Sequence, residues 1–325
     1  DIENRELYGT AQWALLRKLL DDRSPTAIAI NTSRDHAFAD GLSHGLHGRL
    51  VEALGPHAKR LRPAEHLAID YIYQRTQSMR PRYRELMEVA HEIIAYAFSS
   101  AVITPGVTTT DEVVLEMREQ ARARGLGEWF VPTVDLQRKG RVAGSPLDEG
   151  VRPVIERGDV LHCDFGLVGL GLATDTQHLA YVLREGEAAP PEGLTRALKR
   201  TNDLQDLLMA EMKPGRTGNE VLAAALEGMR EAGIDGSIYT HPIGDHGHGA
   251  GPLIGLWDRQ EAIPARGEVK LRPETWYAIE LQATTPVPEW DNQPVRAALE
   301  EDAVLQADGT MAWVLRRQET FHLVR

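Results

Sequence analysis

LHCDFGLVGLGLATDTQHLAYVL, residues 161–183, is the stretch whose reading decides the fold. Asp164 and Asp175 stand eleven positions apart in an otherwise apolar run, and no Lys or Arg occurs between Arg157 and Arg184 to neutralise them. The run is rich in β-branched and apolar residues and is interrupted by Gly166, Gly169 and Gly171, a β-hairpin pattern. With Gly169-Leu170 as a two-residue turn, Asp164 falls directly opposite Asp175. Opposed side chains have Cβ atoms about 4.5–5.5 Å apart, and like charges there destabilise a sheet. Something positive is then required between them. Carboxylate oxygens suit hard divalent metals, and two metals ~3.5–4 Å apart are a common hydrolytic device. A different register, with one Asp facing solvent, is equally open on this stretch alone.

Further ligands occur downstream. HPIGDHGHGAGPLIG (241–255) sets His241, His246 and His248 among glycines on a loop after a strand. LRPETWYAIELQA (271–283) reads as a turn and a strand carrying Glu280, and ALEEDAVLQADG (298–309) as a strand entered through Glu300-Glu301-Asp302. Each acid taken singly is a solvated strand residue; together they are a ligand set in one half of the chain.

An internal echo organises the rest. TPGVTTTDEVV (104–114) and KPGRTGNEVL (213–222) share a Pro-Gly turn and a Thr three residues before a Glu, the capping box that starts a helix. Each expected helix ends near a glycine, Gly125 or Gly233, and is followed by a strand, FVPTVDL (130–136) or SIYTHPI (237–243). A duplicated α/β half is the reading that competes with chance. Upstream, residues 6–20 have helical spacing, 26–33 read as a short strand, 38–55 as a helix ended by Gly55, and 82–100 as a long helix.

Length and composition set the outer limits. A chain of 325 residues is expected to split into two domains. A formal net charge of −12 opposes a nucleic-acid partner. No apolar run approaches the ~20 residues of a membrane span, and the single cysteine, Cys163, excludes an intrachain disulfide framework. The opening residues carry neither a signal-peptide pattern nor an initiating Met, so trimming or a removed signal peptide is open and a cytoplasmic location is only weakly favoured.

In order and spacing, CDFG, ATDT, HGHGAG, LRPETWYAIEL and EEDAVLQADG resemble the pita-bread metallohydrolases: Xaa-Pro aminopeptidases, prolidases, methionine aminopeptidases and creatinase relatives. The resemblance covers roughly 75–325 and implies an α+β pita-bread catalytic domain over 73–325. Residues 1–72 are then a small creatinase-like α/β amino-terminal domain, a remnant or fragment of the one in prolidase-like members. It implies two divalent ions (Mn, Co or Zn) on Asp164, Asp175, His248, Glu280 and Glu301. His246 also fits the family's His-x-x-Gly pattern, and Glu300 is expected to face away. Glu280 would double as proton carrier, with His241 and His246 facing substrate. The implied activity is removal of the first residue of Xaa-Pro peptides by a homodimer. A hydrolase of another small amide and a peptide-binding pseudoenzyme are the rivals.

Two departures bear on that activity. Family peptidases carry a substrate-contacting histidine upstream of the first aspartate, where this chain reads AGSPLDEG (143–150). They carry another after the metal histidine, where this chain has Trp257-Asp258. His162 is a possible substitute. The expectation is good metal binding with slow cleavage of ordinary Xaa-Pro dipeptides.

Overall fold

A computed structural model describes residues 11–141 and 153–325, and divides into two compact units, Asp1–Ile72 and Tyr73–Arg325. In the first unit a helix, Ala11–Arg23, precedes the strand Ile28–Ile30, which pairs in parallel with Leu61–Pro63. Residues 6–10 of the expected first helix lie outside the described residues. The helix expected over 38–55 begins only at His44, because Ser43 caps it by accepting the Leu46 N–H. It ends at Leu54, where Gly55 takes a positive φ of 52°.

In the second unit the echo is structural. Thr109 accepts the Glu112 N–H while Glu112 accepts the Thr109 N–H, starting the helix Thr110–Ala123. Thr217 and Glu220 do the same for Gly218–Glu231. The turns before them are tied back alike, Gly106 N–H to the Ile155 carbonyl and Gly215 N–H to that of Leu271. Strands Thr133–Gln137 and Asp235–Ile238 follow. The 237–243 strand expected as one piece is broken, with a separate short strand at His241–Pro242.

One sheet runs in the order His322–Val324, Thr176–Val182, Val160–Phe165, Thr133–Gln137. A second runs His241–Pro242, Thr275–Ala278, Asp302–Leu305, Met311–Trp313, and a third runs Gln293–Leu299, Leu281–Val287, Asp235–Ile238. The last two are halves of one antiparallel ribbon. A single register pairs Ala278 with Asp302 and Leu281 with Leu299, so it carries Glu280 opposite Glu300 at the break between them. The first sheet joins this ribbon at the break, through reciprocal backbone bonds between Gln177 and Glu300. The helix Glu192–Glu211 contributes buried Leu204 and Leu208 to the apolar core beneath the third sheet, and Arg80–Ala97 contributes Met87, Ile93 and Ile94 to the core beneath the first. No described helix is long and apolar enough to cross a membrane.

The expected hairpin exists with its register shifted by two. Gly169 pairs with Leu172, so the turn is Leu170-Gly171, both at positive φ (55° and 74°), the backbone of a type I′ turn. Asp164 therefore lies opposite Gln177, and Asp175 is its diagonal neighbour on the same face rather than its direct partner.

Candidate metal centre

The centre lies where the sheets meet. Asp164 comes from the 160–165 strand, and Asp175 from the bend before the 176–182 strand. Glu280 and Glu300 face each other at the ribbon's break. His241 opens the short strand that pairs with Ala278, which brings its ring beside them. Its Nδ1 lies 3.1 Å from the Pro242 carbonyl, and Nε2 lies 3.6 Å from Asp175 Oδ2 and 3.5 Å from Glu300 Oε1. Ligand atoms of Asp164, Asp175 and Glu300 lie within 4.8 Å of one another, as do those of His241, Glu280 and Glu300, so Glu300 belongs to both groups.

This arrangement is electrostatically incomplete. Burial, then neighbouring carboxyls, pushes Asp175 and Glu300 well above the usual range. Burial raises Asp164 to about 6; burial and the charge of Asp164 raise Glu280 to about 8. Burial drives the His241 imidazole down to about 3, with His248 the next cause. His241 is thus neutral, and a carbonyl can only accept, so Nδ1 carries the hydrogen and Nε2 presents a lone pair to two carboxyl groups. Asp164 Oδ1, Asp175 Oδ1, Glu300 Oε1 and His241 Nε2 are all buried without a hydrogen-bond partner. An orphaned buried polar atom costs about 1–3 kcal/mol, and four in one place mark a missing common partner. A lone pair and carboxylate oxygens that converge fit divalent metal ions, which such oxygen-rich sets favour.

Other expected residues lie elsewhere. Glu301 is not brought to Asp164 and Asp175: it points to the opposite side of the strand from Glu300, as adjacent strand residues do. There Oε1 bonds His178 Nε2 at 2.6 Å and Oε2 bonds His91 Nε2 at 2.9 Å. Burial raises its pKa, but His178 and His91 outweigh this and hold it below the usual value. That group also has metal-like spacing, yet its hydrogen bonds are made, unlike those of the main centre. His246 is exposed, with Nδ1 3.7 Å from Asp245 Oδ2, and belongs to none of the metal-like groups among the described residues. His248 is exposed at the rim, within reach of Asp175 and His241. Its ring meets those of Trp129 and His241 edge-on at 5.0 and 4.6 Å, and Nε2 lies 3.3 Å from the Tyr239 hydroxyl. His162 is engaged by Asp135 and Gln177. Trp257 is exposed, and 143–150 lies outside the described residues.

Sequence reasoning missed the residues that hold the ligands. Gln177 donates to Glu280 Oε1 and Glu300 Oε2, both at 2.8 Å. Asp302, pushed well up by burial, accepts from the Tyr83 hydroxyl at 2.6 Å and the Asp175 N–H at 3.2 Å. A polar residue on the same face as a ligand, as Gln177 is two positions after Asp175, was the available signal.

The model of metallopeptidase family M24 matches residues 83–307; the chain belongs to this family. Comparison with curated proteins gives no match. Among solved structures the chain is similar to an X-Pro aminopeptidase from Thermotoga maritima, with TM-score 0.69 and 21% identity, covering 100% of this chain and 83% of that one. It is also similar to an Xaa-Pro dipeptidase from Bacillus anthracis (0.66, 18%, covering 98% and 80%) and a prolidase from Pyrococcus horikoshii (0.59, 18%, covering 86% and 73%). These likenesses establish the pita-bread fold.

The raised carboxyls set a pH dependence. Folded Asp164 and Glu280 keep protons that the unfolded chain releases near pH 4, so the metal-free fold binds more protons than the unfolded chain from about pH 4 to 8. Their stabilising contribution is full below that window and lost as pH rises through it. In chelator, the melting temperature of wild type relative to Glu280→Gln should fall between about pH 5 and 8. A difference that is flat or rises with pH contradicts the raised Glu280.

Proposed function

We propose that this M24 metallopeptidase holds two divalent ions on Asp164, Asp175, His241, Glu280 and Glu300, and removes the first residue of peptides whose second residue is proline. The observation that carries the metal reading is that Asp164, Asp175, Glu300 and His241, which fall in overlapping groups of metal-like spacing, each carry a buried polar atom with no hydrogen-bond partner. This set takes Glu300 and His241 in place of the Glu301 and His248 expected from sequence. The Pro-directed activity draws on the names of the structural neighbours and on the family resemblance. Oxygen-dominated ligands favour Mn over Co or Zn.

Bound divalent ions supply Lewis acidity toward a carbonyl oxygen and lower the pKa of a water toward neutrality. The chain's own residues do the rest. Glu280 takes the attacking water's proton and delivers it to the leaving nitrogen. His248, at the rim seven residues after His241 and hydrogen-bonded to the Tyr239 hydroxyl, donates to the substrate carbonyl. AGSPLDEG (143–150), which stands where family peptidases carry their upstream histidine, favours a second reading, hydrolysis of another small amide. A panel of Xaa-Pro dipeptides, longer Xaa-Pro peptides and simple amides separates the two.

Three outcomes test this reading. Elemental analysis after growth with added Mn should give close to two ions per chain. Glu300→Gln and His241→Ala should lower that occupancy, while Glu301→Gln should keep the metal and lower the melting temperature. Occupancy lost in Glu301→Gln but kept in Glu300→Gln reverses the assignment. With Ala-Pro as substrate, His248→Ala should reduce turnover by roughly 10²–10³ with metal retained, the usual cost of an oxyanion donor, and His246→Ala should be silent. Equal activity in both variants removes the role given to His248. The homodimer, finally, rests on the resemblance, and sedimentation at micromolar concentration that gives the mass of one chain would discard it.

A further inference from the structure

Gln177 lies where the first sheet meets the ribbon, bridged to Glu300. It is 4% exposed. Its amide nitrogen has two hydrogens, and the two acceptors within reach are the opposed carboxyl groups of Glu280 and Glu300, at 2.8 Å each. That demand fixes the orientation of the amide, because an amide oxygen turned toward those groups would face oxygen with oxygen. The amide oxygen is left pointing at His162 Nε2, 2.9 Å away, and His162 Nδ1 lies 3.1 Å from Asp135 Oδ2. Gln177 cannot flip without losing three contacts at once.

We propose that Gln177, held by His162 and Asp135, is a positioning residue that presets Glu280 and Glu300 for metal. This rests on the ligand set proposed above and extends it to a residue that contacts neither metal nor substrate. Two opposed carboxyl groups on a ribbon repel once both are ionised, the state in which they bind a metal, and swing apart unless something bridges them. The bridge formed by Gln177 keeps one oxygen of each carboxyl group occupied in the metal-free protein. In Glu300 the other oxygen, Oε1, is the orphan that faces Asp175 and His241. Partners that orient metal ligands from behind raise affinity by roughly 10–100-fold.

The test measures metal binding, not turnover. Chelator-stripped wild type, Gln177→Met and Gln177→Asn are titrated with CoCl₂ by calorimetry, with the visible Co absorption followed in parallel and melting curves recorded for the metal-free forms. Met keeps the bulk and removes both donors; Asn keeps the amide but is too short to span both carboxyl groups, and its polarity protects the fold if Met does not. Both folded variants should bind Co at least about tenfold more weakly than wild type, with unchanged stoichiometry and an altered absorption envelope. Affinity and spectrum equal to wild type, with only a lower melting temperature, would reduce Gln177 to a structural residue and overturn the proposal. Wild type that binds no Co would overturn the ligand set, and the proposal with it, a result distinct from normal binding in all three proteins.

Discussion

Two glutamates face each other across one ribbon, and the second unit is built around that repulsion. Glu280 and Glu300 stand opposite at the break between two strand pairs, where a like-charged pair is least welcome in a sheet. Burial makes the conflict worse, since charge removed from water must be paired or neutralised. The chain answers from two directions. On one side Gln177 bridges both groups with its amide. On the other, Asp164, Asp175 and His241 add more electron-rich atoms, a worse conflict unless cations occupy the gap. Metal that enters must displace protons from carboxyls held above their usual range, so its apparent affinity rises with pH.

The run Glu300-Glu301-Asp302 shows how one acidic stretch serves three neighbours. Glu300 turns to the metal-like cluster and Glu301 to the other side, where His91 and His178 satisfy both of its oxygens. Asp302 turns back to receive Tyr83 and the Asp175 backbone. Each is about 1% exposed, so none owes its place to solvent. The His-Glu-His brace pins the backbone immediately after Glu300, and Asp302 pins that of Asp175. Rigid ligands therefore follow from polar groups that never reach the cluster.

What could be read in the sequence was local. Thr109/Glu112 and Thr217/Glu220 mark helix starts because a capping box closes within four residues. Asp164, Asp175 and Glu280 stood out as acids in apolar strands, and the α+β architecture followed from motif order. Phase and register were not local. Alternation shows that Glu300 and Glu301 face opposite ways, but both faces are buried, so hydrophobicity cannot say which meets the aspartates; the pairing of Ala278 with Asp302 decides it. The hairpin turn was placed one residue early because Gly169 and Gly171 both suit a turn, and Leu170 at positive φ is not a residue one selects for it. His241 fell both at the end of the expected 237–243 strand and at the start of the loop, because its two-residue strand is defined only by its partner, Ala278.

The proposed ligands and the histidines of the glycine-rich loop sit on different kinds of structure, and one indole ties them together. Asp164, Glu280, Glu300 and His241 lie on or at the ends of strands whose mutual hydrogen bonds fix them, as a precise metal geometry demands. His246 and His248 ride on the glycine-rich loop that follows His241. That loop is not free to drift, because Trp129 packs directly on Gly247, where a Cβ would come within 2.3 Å of the ring. The same Trp129 Nε1 donates to the Thr174 carbonyl at 2.9 Å, and a Cβ on Gly166 would lie 2.2 Å from that nitrogen. Thr174 precedes Asp175, and Gly166 follows the strand of Asp164. A displacement of the loop that moved Trp129 would thus be felt at the backbone of both aspartates. The absence of a side chain at Gly166 and Gly247 is what lets one ring brace the glycine-rich loop against the backbone beside both aspartates.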